Sequence, residues 1–250
     1  MPFHNPLAKL RPVRRFVECV EPLSKAEREE LRSHGFQVLQ NDVFYELEPE
    51  AVTIARNYGN FYVARYEQYC KRLKIQDPQR FQRYVRIKRC NPDGSLTEER
   101  KTHQFRMGLT QIAFHLLLQQ LHIPSVHNDP TVDWRDFFKY DFYVPFFGSI
   151  DIKSVLLRQQ FVNVNVRDLK VENPDYVIAL MLDVENPTWI KVLGCMPTST
   201  VRQFPVEECY RRYYCIPVEA FDNAIGLLKA LLEVRNKISE LENKVRIALP

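Results

Sequence analysis

The chain of 250 residues predicts an α/β fold, and three observations carry that expectation. Residues 140 to 154, Tyr-Asp-Phe-Tyr-Val-Pro-Phe-Phe-Gly-Ser-Ile-Asp-Ile-Lys-Ser, form an aromatic and β-branched run interrupted by Pro145 and Gly148, the pattern of a β-hairpin. Tyr176 to Leu182 is an unbroken apolar run with the length of a strand buried on both faces. Helical periodicity brackets both, at residues 107 to 123 before the hairpin and at 227 to 248 after the strands.

In chain order, residues 1 to 100 read as a mostly helical, basic N-terminal region. Ser24-Lys-Ala-Glu27 has the spacing of a capping box, in which a serine hydroxyl and a glutamate three residues on satisfy each other's free backbone N–H groups. A long aromatic-rich helical pattern follows from about Pro49 to Leu73, and Asn91-Pro-Asp-Gly-Ser95 is the clearest turn. Residues 101 to 222 form the predicted core. Its first helix is apolar except for Gln111, His115, Gln119 and His122, whose steps of four, four and three draw one polar line, a line that reads most simply as facing water. After the hairpin and Tyr176–Leu182, Trp189 to Gly194 reads as a further strand. Residues 223 to 250 form a C-terminal helix with Leu227, Leu231, Val234, Ile238, Leu241, Val245 and Ala248 at heptad spacing. Two readings of that stripe stand side by side: a dimerisation coiled coil, and packing on its own domain.

Composition is that of an ordinary protein with a sizeable core, at 45% hydrophobic and 26% charged residues. The longest uncharged stretch, Met107 to Asn128, is broken repeatedly by glutamine and histidine and reads as a core helix, not a membrane span. Lys9, Arg11, Arg14 and Arg15 near the start adjoin no apolar signal segment, so a cytoplasmic location is expected. Six cysteines are scattered without a Cys-x-x-Cys pair, which indicates reduced thiols and no zinc site. Sequence signatures of phosphate-binding loops, dinucleotide sites, zinc proteases and serine hydrolases are lacking.

The net charge of +4 is unevenly spread: residues 18 to 50 carry nine acids against three bases, and residues 65 to 106 carry twelve bases against five acids. Lys71, Arg72, Lys74, Arg80, Arg83, Arg86, Lys88 and Arg89 are the candidate contacts to a nucleic-acid backbone. The interleaved Tyr62, Tyr66, Tyr69, Phe81 and Tyr84 either stack on exposed bases or face the core.

The hairpin carries the chemistry. Strand alternation sends Asp151 and Lys153 to one face, and Asp141 lies on the preceding strand. Mg²⁺ takes oxygen ligands, keeps several waters and commonly uses one or two protein carboxylates beside substrate phosphate. Asp141 and Asp151 supply two, and Lys153 on the same side is placed to orient a water or stabilise charge on a phosphate. Other acid-x-Lys triplets occur at Glu99, Asp168 and Glu242, of which Asp168, following the alternating Val162 to Val166, is the strongest rival.

Over roughly residues 105 to 220 the sequence resembles the PD-(D/E)xK nuclease superfamily, in which an acid on one strand precedes an acid-x-lysine triplet on the next. The resemblance implies a restriction-endonuclease-like core, a mixed central β-sheet flanked by helices, and Mg²⁺- or Mn²⁺-dependent endonucleolytic hydrolysis of DNA. It implies Asp141, Asp151 and the Ile152 carbonyl as metal ligands, and Lys153 as the residue that orients or activates the attacking water. Family members often hold a glutamate three residues after a helix glycine; here Gly108 is followed by Gln111, a neutral amide expected to position water. That departure supports the alternative function, a catalytically inactive nuclease-fold protein acting as a nucleic-acid-binding or assembly module. A homodimer through the C-terminal helix would suit an enzyme cutting both strands of a duplex.

Overall fold

The computed structural model describes residues 22–40, 42–129, 140–171, 173–183, 186–208, 212–221 and 223–248. Lys9, Arg11, Arg14, Arg15, Cys19 and Cys209 lie outside them, as do the side chains of Val245 and Ala248.

A seven-stranded mixed sheet forms the centre, with α/β architecture as the sequence predicts. Its strands are β1 (Phe36–Leu39), β2 (Asp42–Glu46), β3 (Val126–His127), β4 (Phe142–Val144), β5 (Gly148–Val155), β7 (Tyr176–Leu182) and β8 (Trp189–Pro197), in the order β1-β2-β8-β7-β5-β4-β3. Only β5 and β7 run parallel; the other neighbours are antiparallel. A smaller antiparallel sheet, β6-β10-β9, is built from β6 (Phe161–Asn165), β10 (Arg212–Pro217) and β9 (Val206–Glu208).

The two faces of the large sheet bury different partners. On one face, Phe142, Ile150, Ile152, Ile178, Leu180 and Val192 meet helix α4 (Glu98–Gln120) through Phe114, Leu117 and Leu118, and helix α7 (Ala224–Ala248) through Leu227, Leu228 and Leu231. On the other, Val155, Val177, Ala179 and Met196 pack on Val162, Val164 and Ile216 of the small sheet and on Leu169 of α5 (Val166–Val171). Tyr176–Leu182 is sandwiched between both cores, which is why that strand reads as an unbroken apolar run.

Helix α1 (Lys25–Ser33) starts at the expected capping box: Glu27 N–H donates to Ser24 Oγ at 3.2 Å and Ser24 N–H to Glu27 Oε2 at 2.7 Å. Helix α2 (Pro49–Gln76) stops where Pro78 removes the next backbone donor, and Asp77 then caps α3 (Pro78–Arg86) through Arg80 N–H. The Asn91 turn closes with Gly94 at φ +96°, and Thr97 caps α4.

The structure sharpens two readings. Within the mostly helical N-terminal region, residues 36–39 and 42–46 are the strands β1 and β2, and β2 pairs with β8 of the core sheet. The run is too short and too mixed in polarity to show a clear period, and pairing with β8 decides its conformation. The C-terminal stripe is largely intramolecular: Leu227, Leu231 and Val234 are buried in the main core and Ile238 packs against it, leaving Leu241 45% exposed. No described helix is long and apolar enough to cross a membrane.

Candidate active site

Three elements converge on Asp141. It precedes β4, and its carboxylate turns toward the centre of the sheet, where Oδ2 accepts from the Ile152 backbone N–H at 2.7 Å and Oδ1 from the Gln111 side-chain amide at 2.5 Å. The hairpin supplies the first contact and α4 the second. Gly108 allows the second: a side-chain carbon there would lie 2.6 Å from Tyr62 Cβ and 3.2 Å from Gly59 Cα, so a larger residue would push α2 from α4. The close crossing also sets the Tyr62 hydroxyl against the Gln111 amide.

Asp151 and Lys153 project from β5 to the same side, as the alternation predicts. Asp151 is 5% exposed. Lys153 Nζ lies 2.8 Å from its Oδ1, in hydrogen-bond geometry, and 2.7 Å from Oδ2, which is fully buried and has no aligned donor. The hairpin turn is fixed from outside the site: Gly148 takes φ +123° against Asp175, whose Oδ2 accepts from Ser149 N–H and Oγ–H at 2.8 Å each.

Electrostatics tie the three side chains into one unit. Burial, then the neighbouring Asp151 charge, push the Asp141 carboxyl up to about 8. For Lys153 burial opposes the ammonium, but the charges of Asp151 and Asp141 outweigh it and the net shift is upward. Lys153 is therefore a fixed cation and not a base near neutral pH. Two close carboxyl groups can offer oxygen ligands to a divalent cation: both Asp141 oxygens keep a second lone pair, and an ion at Asp151 Oδ2 would displace the Lys153 ammonium that lies 2.7 Å away. Among the described residues no group of three or more His, Cys, Asp or Glu side chains is arranged to hold a metal, so such an ion would draw its remaining ligands from backbone, water or substrate.

Gln111, His115, Gln119 and His122 do not share one environment. Gln111 is buried at 2% exposure on Asp141, whereas Gln119 and His122 face solvent as the water-facing reading predicts. His115 is half-buried, its imidazole pushed down by burial, and it stacks near Phe142 with a ring separation of 6.2 Å. No local sequence pattern marks the network behind Gln111. His127 Nε2 lies 3.4 Å from Gln111 Oε1 and from Tyr58 Oη, and Tyr58 donates to Asp129 at 2.8 Å. Those partners are far apart in the chain and meet only through the sheet and the α2–α4 pair.

The rival Asp168 lies in α5, not on a strand. It lines the same cavity as Lys153 and acts on it through its charge. That cavity, about 320 Å³, is also lined by Arg89, Arg100, His103 and Arg106. An adjoining one of about 440 Å³ shares Arg89, Arg100 and His103 and extends along Arg86 and Lys88. Of the eight basic candidates, Arg86, Lys88 and Arg89 thus line the approach to Lys153. Lys71 is paired with Glu67 at 2.8 Å, Lys74 donates to the Pro92 carbonyl at 2.9 Å, and Arg80 lies over the Tyr84 ring; Arg72 and Arg83 are exposed away from these cavities. Tyr62, Tyr66, Tyr69, Phe81 and Tyr84 are all buried at 2 to 7% exposure, so they pack the helices and do not offer rings to bases. Arg100, His103 and Arg106 escaped individual notice, although their steps of three place them along one helix face.

No protein-family model, no curated protein and no solved structure matches the chain.

Proposed function

We propose that this protein is a metal-dependent endonuclease that hydrolyses DNA phosphodiester bonds, with a restriction-endonuclease-like core. The observation that carries the reading is the convergence of Asp141, Asp151 and Lys153 on the hairpin, Asp151 buried and the other two half-buried, beside an arginine-lined cavity. Asp141, Asp151 and the Ile152 carbonyl would hold Mg²⁺ or Mn²⁺; such an ion, when bound, polarises a phosphoryl oxygen and lowers the pKa of water. Lys153, kept cationic by its two acidic neighbours, orients the attacking water and offsets charge developing on the phosphate. Gln111 fixes the Asp141 carboxylate. Arg86, Lys88 and Arg89 track the strand's backbone without reading sequence.

The test is cleavage of supercoiled, linear, single-stranded and branched DNA with Mg²⁺ or Mn²⁺, comparing wild type with Asp151→Ala and Lys153→Ala. Metal-dependent cutting lost in both variants supports the nuclease, and wild-type activity in Lys153→Ala refutes the assignment. A second reading, a nucleic-acid-binding or assembly module on the same fold without turnover, draws on Gln111. Its amide occupies Asp141 Oδ1 and contributes no negative charge. Calorimetry separates the two, because the inactive module should show no heat on titration with Mg²⁺ or Mn²⁺.

A further inference from the structure

The cavity beside Lys153 contains three arginines that no described carboxylate neutralises. None of Arg89, Arg100 and Arg106 forms an ion pair with a described acid. Arg100 lies 4.8 Å from the Tyr66 ring and, with the Gln104 amide turned to satisfy both groups, donates to its oxygen. Arg89 lies over the Tyr84 ring at 5.1 Å. Arg106 is half-buried, with its Nε wholly buried and unpartnered. Neutral rings and amides hold these guanidinium groups in position but do not cancel their charge.

His103 shows the resulting field. Its Nδ1 lies 3.3 Å from an Arg106 nitrogen, and a guanidinium can only donate, so Nδ1 accepts and the ring proton sits on Nε2. Burial first, then the charges of Arg100, Arg106 and Arg89, hold the imidazole down at about 3. The ring is thus a neutral N–H donor beside the arginines. Among the described residues, Asp168 is the one acid lining this cavity. A cluster of half-buried, unpaired cations costs free energy in the empty protein, and an anion with several oxygens relieves it.

We infer that the cavity lined by Arg89, Arg100, His103 and Arg106, which adjoins the carboxylate centre through Lys153, is a phosphate-binding site taking a phosphate group of a nucleic-acid strand. The nucleic-acid source rests on the hydrolase reading; the affinity for phosphate does not. Helix α4 carries both Arg106 and Gln111, so a phosphate held here sets the distance from the anchored group to the cleavage point.

The experiment is calorimetry in EDTA, so that no metal recruits phosphate to Asp141 and Asp151. Inorganic phosphate is titrated first, then one oligonucleotide with and without a 5′-phosphate. Wild type binds inorganic phosphate, and Arg106→Gln weakens it tenfold or more, in line with loss of a charge-assisted hydrogen bond. The phosphate-free melting temperature of Arg106→Gln stays level or rises, since a half-buried unpaired charge has gone. If that variant fails to fold, Arg89→Gln carries the same comparison. A phosphorylated oligonucleotide that binds much more tightly than its unphosphorylated twin assigns a strand end; equal affinities, both reduced in the variant, assign an internal backbone phosphate. Either outcome supports the site. No phosphate binding by wild type, or unchanged binding by folded Arg106→Gln and Arg89→Gln, overturns it. Failure of the hydrolase reading looks different: no cleavage of any substrate with Mg²⁺ or Mn²⁺, while inorganic phosphate still binds.

Discussion

The carboxylate centre and the arginine cavity lie side by side, yet they handle charge in opposite ways. At the first, Lys153 lies within 2.8 Å of both Asp151 oxygens, and Asp141 accepts hydrogen bonds from two neutral amides. At the second, three guanidinium groups rest on rings and an amide with no described carboxylate partner. Buried charges persist when they are paired or when a ligand completes them. Lys153 thus balances the carboxylate centre from within the chain, whereas the arginines of the cavity have no described acid paired with them.

The largest expected effect follows from breaking the paired side. Asp151→Ala strands the Lys153 ammonium, whose side chain is 16% exposed, and is expected to cost about 3 to 5 kcal/mol of stability. Arg106→Gln is expected to change stability by less than about 1 kcal/mol, because the partner it leaves, His103 Nδ1, is a neutral acceptor and no charge is stranded. Urea denaturation of both in EDTA checks the contrast, and equal losses would mean that the two regions are not electrostatically different. Lys153→Ala also lowers stability, because it leaves Asp151 without its cation and exposes two close carboxyl groups to each other.

A pH series sharpens the same point. Asp141 titrates near 8 in the folded, metal-free protein against an ordinary value of 3.8. Between those values the folded state holds a proton that the unfolded chain has lost, so stability falls as pH rises from about 4 to about 8 and then levels. Asp141→Asn removes this fall. Denaturation in EDTA at pH 5, 6.5 and 8.5 measures the difference between variant and wild type, and parallel curves would show that Asp141 ionises normally.

How much of this was legible follows the range of the interactions. The hairpin, the shared face of Asp151 and Lys153, the buried Tyr176 strand and the Ser24 capping box are written in neighbouring residues, and period and spacing reveal them. The strand character of residues 36 to 46 depends on pairing β2 with β8, about 150 residues on, and has no local period to show it. Polarity marked Gln111 but could not reveal its burial, which depends on the Gly59–Gly108 crossing of two helices. Charge counting found the basic segment but could not tell Lys71 and Lys74, which are engaged elsewhere, from Arg100 and Arg106, which with His103 line the cavity.

Gln111→Glu tests whether the paired side can accept more negative charge. In EDTA a third carboxylate beside Asp141 and Asp151 should destabilise the protein by about 1 to 3 kcal/mol, since it replaces a donor with a repelling acceptor. With Mn²⁺ the added charge should raise metal affinity about tenfold, measured by calorimetry. A variant equally destabilised with and without Mn²⁺ would argue that no cation binds between these groups.

The smallest effects belong to the outer groove. Arg86 and Lys88 are exposed and line only the cavity more distant from Lys153, so each should contribute one screened phosphate contact. Arg86→Ala and Lys88→Ala are each expected to weaken DNA binding by a few fold, similarly across sequences, and to reduce the slope of log affinity against log salt by about 1. Arg106→Gln should differ in kind: Arg106 is half-buried whereas Arg86 and Lys88 are exposed, and partly buried charge pairs are screened less, so more of its loss should persist at high salt. Binding isotherms from low to high salt separate the two behaviours. If all three variants showed the same salt dependence, the cavity would be no more than the inner end of an open basic groove, and the contrast between the two charge environments would narrow to the carboxylates alone.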